Sequence, residues 1–350
     1  MIQNKGIVLM MKKAFLCCVF VALVLLSSCG DNEYNECVFQ PDINNPVDIK
    51  IERLENKLLD IDNRDSLRAF LIANPIITTY FLNKGTYPND SLMLDGLMKK
   101  FSNPHIDTLQ MEIDRVFGDL SELTAELNTA YSHLKHYYPD VTIPKVKTVA
   151  TGFDFDLYVS DTLVVIGLDY YLGEGAKFRP IGMYNYILKR YAPEYIVPSI
   201  MLLNGISPDY NATNVKDKTI LSDMMAYGKA FYFTKRMIPC VPDSTIIWYT
   251  REEIEGSRAN VDIIWTHFVE NELLFETNHM VKKKYIEDRP KTFEIGEKAP
   301  GRLGQWLGWQ IVNKYMEEHP DTDFQDMMMI EDPQLIFKNS KFKPDKGGLF

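Results

Sequence analysis

Residues Ala14 to Leu26 form an unbroken apolar run, with Lys5, Lys12 and Lys13 before it and Ser27-Ser28-Cys29 directly after it. The run is 13 residues long, well short of the ~20 that a spanning helix needs. A basic flank, a short apolar stretch and small residues at its end make a secretory signal. The cysteine at the cut point adds specificity, because lipoprotein signal peptidase cuts before a thiol that already carries diacylglycerol. Cys29 is therefore the expected lipid-attachment residue, and residues 1–28 are expected to leave. What folds must then do so after export, on a chain tied by one end to a membrane.

Removing 1–28 takes away three lysines and no acid, so the formal charge moves from −10 to −13. An acidic chain that is 46% apolar suits a globular body with a sizeable core. That charge argues against nucleic acid and against anionic lipid surfaces as partners. Membrane contact is expected through the lipid anchor only. Cys37 and Cys240 remain after Cys29 is used, and an oxidising compartment permits them to pair. Cys37 falls in a linker-like stretch, so a buried, inert Cys240 is expected and the pairing stays open.

Residues 30–47, GDNEYNECVFQPDINNPV, are acidic and rich in Asn and Pro, the composition of a tether. As a flexible coil it reaches roughly 20–25 Å. Asp31, Glu33 and Glu36 are equally a sorting signal for the cell surface or simple solubilising charge. Residues 48–350 are expected to form one globular domain. Helical periodicity runs from Asp48 to Pro139: Leu67, Phe70 and Leu71 share a face, as do Leu94, Leu97, Met98 and Phe101. A further helix from Ser121 stops at Tyr137-Tyr138-Pro139.

The period then changes. Val146–Gly152, Phe155–Val159 and Thr162–Leu168 read as short strands, with Ser160-Asp161 as a tight turn. Helices resume after Gly173. Thr250 and Glu253 have capping-box spacing and open a helix expected to continue towards Lys284. A last helix covers Gly304 to Glu318. The fold class is α+β, predominantly helical, with one small antiparallel sheet at about 145–168.

Searches for catalytic motifs find little. HExxH, GxSxG and P-loop patterns are absent. Phe178 stands where a dinucleotide loop starting at Gly173 needs its third glycine. His133 and His136 share a helix face but have no fixed cysteine or acidic partner, so no metal is expected. Asp321-Thr322-Asp323 starts like a calcium loop, but Asp326 replaces the needed glycine, and a short helix fits better. Asp154 and Asp156 fall on one strand face, a pairing that is cheap in a chain with 48 acids. No cofactor is expected.

The segment Ala299 to Met316 says more. Gly304 and Gly308 lie one turn apart and let another backbone approach, with Trp306 and Trp309 flanking them. Gly301, Arg302, Gly304, Trp306, Gly308 and Trp309 are thus a candidate packing or partner surface: a tightly packed core helix, or a groove anchored by tryptophans.

This segment resembles the C-terminal signature of the GldB gliding-motility lipoproteins of Bacteroidetes. The resemblance extends through Tyr137-Tyr138-Pro139, Thr151-Gly152-Phe153, Ile166 to Gly173, Gly228-Lys229-Ala230-Phe231-Tyr232, Ile264-Trp265, Leu273-Leu274-Phe275 and Ile336 to Pro344. Asn260-Val261 and Glu287 to Lys291 depart from the family pattern. The resemblance implies an outer-membrane lipoprotein, on the periplasmic face or the cell surface, needed for gliding in motile members and without established catalysis. It also implies a distant similarity to predicted zinc proteases and hence a zincin-like body. Val197 and Met201 would then stand for the two metal-binding histidines and Pro198 for the glutamate, the pattern of a pseudo-protease.

Two functions are compatible with these residues. One is a non-catalytic envelope component that binds a protein partner. The alternative is a cryptic hydrolase or glycan-processing enzyme that uses an unrecognised carboxylate site.

Overall fold

The computed structural model describes Cys37 and residues 41–344. Cys29 and residues 1–28 lie outside the described residues, as does most of the expected tether. Apart from Cys37, everything below concerns the unit Phe39–Phe350. The described residues are 55% helical, with one small open sheet.

The first strand, β1 (Ile51–Arg53), leads into four helices of eight or more residues: α1 (Arg64–Ala73), α2 (Asp90–Phe101), α3 (His105–Phe117) and α4 (Ser121–Tyr137). Asn63 and Asn89 accept the Ser66 and Leu92 amides and so begin α1 and α2. The strands β2 (Lys145–Val149), β3 (Leu157–Val159) and β4 (Leu163–Gly167) follow. Beyond them come α5 (Ile196–Ile206), α6 (Ile220–Met237), α7 (Arg251–Ala259), α8 (Val261–Glu270), α9 (Leu303–Glu318) and α10 (Pro333–Ser340). Among the described residues, no helix is long and apolar enough to cross a membrane.

The sheet order is β1-β2-β4-β3. The sheet is mixed rather than antiparallel: β1 pairs β2 and β2 pairs β4 in parallel, and β3 alone runs against β4. The Ser160-Asp161 turn is local and could be read from sequence. The β2–β4 pairing is not, although Leu163-Val164-Val165-Ile166 has the continuous apolar character of a parallel strand covered on both faces. Alternation then sorts the side chains. Val146, Val164 and Ile166 face the large helical core, while Val149 and Val165 face a smaller cluster with Leu67, Phe70, Leu94 and Leu97 of α1 and α2. β1 has three residues, too few for alternation to register in the sequence.

The capping box at Thr250 is present, with its side chain accepting the Glu253 amide. The helix it opens stops at Ala259, and the path towards Lys284 is broken into shorter pieces. Asn260 ends α7 with its own backbone in a non-helical turn. Cys240 is not buried. It sits exposed in the turn between Pro239 and Pro242 after α6, and both Cys37 and Cys240 are disulfide-bonded.

Candidate functional site

The helices α6 and α9 pack along a seam with almost no side chain between them. A methyl group placed on Gly228 would lie 2.5 Å from the Gly308 carbonyl carbon, and one on Gly308 would overlap the Met224 carbonyl oxygen. Two glycines that meet face to face bring the backbones into contact. Trp306 and Trp309, 1% and 2% exposed, lie beside the seam, and the Phe231 ring is 5.4 Å from Trp309. Neither indole N–H has a hydrogen-bond partner among the described residues.

The start of α9 carries the rest of the candidate set. Arg302 takes a left-handed backbone (φ 60°) as the N-cap. A cation there opposes the helix dipole, so other contacts must hold it. It is 3% exposed, donates to the Ile247 carbonyl at 2.6 Å, and lies 3.2 Å from Asp288. Its guanidinium also sits 5.1 Å from the Trp248 ring centre and 5.6 Å from that of Tyr249. Burial first, and then the nearby charge of Arg190, push Arg302 down to about 10. Arg190 grips Asp288 with two bonds of 2.9 Å and stacks 5.0 Å from Trp248. Burial pulls the Asp288 carboxyl up, but the Arg190 hydrogen bonds and both guanidinium charges outweigh it and hold the group below the usual carboxylate range.

Gly301 and Gly304 let the chain at 285–300 wrap the helix start. A methyl on Gly301 would overlap the Arg289 carbonyl oxygen, and Gly304 donates to the Tyr285 carbonyl at 2.9 Å. Tyr249 donates to the Gly301 carbonyl at 2.6 Å, and Gln305 to that of Ile286 at 2.6 Å. All six candidate residues are therefore interior. Beside them an open cleft of ≈ 940 Å³ runs between α7, α8 and the 291–300 segment, with Leu303 and Ile264 in its lining and the Lys291–Glu253 ion pair (2.7 Å) at its side.

A second cluster lies past the carboxyl ends of β2 and β4, the end of a parallel sheet where sites usually form. Asp169 is fully buried and accepts the Thr151 amide at 3.1 Å and the Phe153 amide at 2.7 Å. Tyr170 donates to the Phe153 carbonyl at 2.8 Å. Together they hold Gly152 and Phe153 at positive φ (76° and 67°), a conformation a phenylalanine rarely adopts unaided. Burial pushes the Asp169 carboxyl up to about 6, against the pull of those amides. Its other oxygen has no partner among the described residues. The segments Thr151-Gly152-Phe153 and Leu168-Asp169-Tyr170 read as separate motifs in the sequence; one polar lock joins them.

Asp154 and Asp156 precede β3 rather than share its face. Asp154 pairs with Lys100 at 2.5 Å, and Asp156 accepts the Tyr191 hydroxyl at 2.7 Å. His133 is buried with Nδ1 2.7 Å from the Met237 carbonyl, and His136 meets the Tyr137 ring. Among the described residues no group of three His, Cys, Asp or Glu is placed to hold a metal. Val197, Pro198 and Met201 are core residues of α5.

Sequence reasoning missed Lys229. It is buried, with its ammonium 2.5 Å from the Ala212 carbonyl, 3.0 Å from that of Met328 and 2.9 Å from that of Ile330. Burial lowers it to about 8. The signal was a lone lysine inside the otherwise apolar and aromatic stretch of α6.

The family of lipoproteins described as gliding motility protein GldB matches residues 36–344. No curated protein matches the chain, and no solved structure does. The zincin-like body implied by resemblance gains no support from these comparisons.

Proposed function

The chain belongs to the GldB family of gliding-motility proteins, and from that premise we propose that it is a non-catalytic lipoprotein of the outer membrane. It is held there by diacylglycerol on Cys29, and its body binds another envelope protein. The observation that carries this reading is the use made of the buried ionisable groups. Asp169 binds two backbone amides, Lys229 binds three carbonyls, and Arg302 binds one carbonyl and Asp288. Each is withdrawn from solvent and ties chain segments together, whereas a catalytic group must be open to substrate. The motifs that mark the family therefore build a stable, precisely shaped body, which suits a component that works by being held in place and recognised.

Cys29→Ala tests the anchor. The thiol is both acceptor and cleavage mark, so the variant should remain an uncleaved precursor without diacylglycerol. A variant that still partitions into detergent as mature protein overturns the lipoprotein reading. Affinity capture of the lipidated chain from solubilised outer membrane, with partners identified by mass, tests the binding role. Recovery of the chain alone counts against it.

A further inference from the structure

The segment between Gly173 and Tyr191 is a loop with a fixed base and a greasy tip. The Gly173 amide donates to the Tyr191 carbonyl at 2.9 Å and closes it. Arg190 fastens the same end to Asp288 and Trp248, and the Tyr191 hydroxyl reaches Asp156. A loop tied this way presents its tip in a defined direction. That tip, Pro180-Ile181-Gly182, leaves Ile181 102% exposed, and Tyr184 beside it is 71% exposed. Phe178 and Met183 are half-buried, and the Tyr184 and Tyr186 rings stack at 5.9 Å.

The charge of the loop is as unusual as its exposure. Between Gly173 and Tyr191 there are four basic residues and one acid, Glu174 at the base, in a chain with 38 basic and 48 acidic residues. Arg190 is spent on Asp288. Lys177, Arg179 and Lys189 are exposed and form no salt bridge among the described residues. Lys177 does lie near Glu112 at the foot of the loop, and Lys189 near Glu252.

We propose that this loop is a second membrane contact: Ile181 and Tyr184 enter the headgroup boundary of an anionic phospholipid leaflet while Arg179, Lys177 and Lys189 meet its phosphates. Exposed aliphatic and aromatic side chains among cations are what interfacial binding uses, because apolar burial and surface potential then act together. A protein with an excess of acids is repelled by such a surface except where it turns a basic patch towards it, so the patch also sets the orientation of the body. One lipid anchor and a basic apolar loop are two signals of the kind that make attachment stable. The inference rests on the Cys29 anchor for bringing the loop to a bilayer.

Hydrogen exchange on the full lipidated chain tests it. In phosphatidylethanolamine–phosphatidylglycerol vesicles, amides between 176 and 190 should exchange about tenfold or more slowly than in neutral phosphatidylcholine vesicles. Arg179→Glu with Lys189→Glu should abolish that difference, and so should raised salt. Equal exchange in the two vesicle types overturns the proposal. So does protection seen in native membranes but not in pure lipid, which would mean a protein covers the loop. Flotation with neutral vesicles is the separate readout of the anchor. If the chain does not float there, the anchor fails, and the loop is then judged by whether the chain floats with anionic vesicles alone.

Discussion

At the α6–α9 seam, Trp306 and Trp309 are almost wholly withdrawn from water, and glycines let two backbones touch. In the loop from 174 to 190, Ile181 and Tyr184 stand in solvent although a compact core lies below them. Burying an isoleucine stabilises a fold by about 1.5–3 kcal/mol, and the loop forgoes that gain. The seam also takes in a cation, Arg302, and satisfies part of it with a carbonyl, a carboxylate and two aromatic faces. Lys177, Arg179 and Lys189 are left to the solvent. The contrast teaches that the two aromatic-rich parts of the chain serve different ends. One has its sequence constrained by packing, and the other leaves its tip, at Ile181 and Tyr184, outside the packing and available for contact with something outside.

Substitutions sort along that contrast. The largest effect is expected at Gly308. A single added carbon already overlaps the Met224 carbonyl, so Gly308→Leu should yield no folded protein, beyond the about 1–3 kcal/mol that overpacking usually costs. Gly308→Ala adds that same carbon and must part the α6 and α9 backbones, so its cost by thermal melting should reach or exceed the upper end of that range. Trp306→Ala should lose about 3–5 kcal/mol, the price of an emptied core site. A Trp306→Ala protein that melts like the parent but loses its partner would make the indole an anchor and break the comparison.

Asp169 gives an intermediate effect that depends on pH. Burial pushes its carboxyl up to about 6 in the fold, from 3.8 for an unperturbed aspartate. The folded state therefore holds the proton more tightly, and this contribution is complete below the unfolded value. It is lost as pH rises through about 6. A shift of that size corresponds to about 2–3 kcal/mol. Unfolding by denaturant across that window should show the parent losing stability relative to Asp169→Asn, in which an amide oxygen still accepts the Thr151 and Phe153 amides. Parallel curves would show that the carboxylate is solvated in the fold. Smallest of all, Ile181→Ser should change stability by less than about 0.5 kcal/mol. A larger loss would mean the tip is packed, and the loop would no longer be the seam's opposite.

Much of the helical framework is legible in the sequence. Leu67, Phe70 and Leu71, the Ser121 to Tyr137 helix, the Thr250–Glu253 cap and the final glycine-tryptophan helix all depend on neighbours within a few positions. Local spacing carries that information. The parallel pairing of β2 with β4 and the role of β1 were not legible, because strand pairing is chosen by non-local contacts. The exposed Cys240, the Asp169 lock and the three-carbonyl grip of Lys229 escaped for the same reason. Net charge leaves local distribution out in another way: a total of −10 over the chain includes a stretch of sixteen residues, 175–190, that carries only positive charge.

The sequence by itself carries the expectation of an export signal ending at a lipid-accepting Cys29, and it determined the positions of several helices, the cap at Thr250 and the family. Those are written in contiguous residues, where spacing and residue type suffice. Only the tertiary structure decided that Gly228 meets Gly308, that Asp169 closes on the 151–153 turn, and that Ile181 is left outside the core. Each depends on which distant segment arrives at a given surface, and burial, pKa and exposure belong to that arrival rather than to the residue.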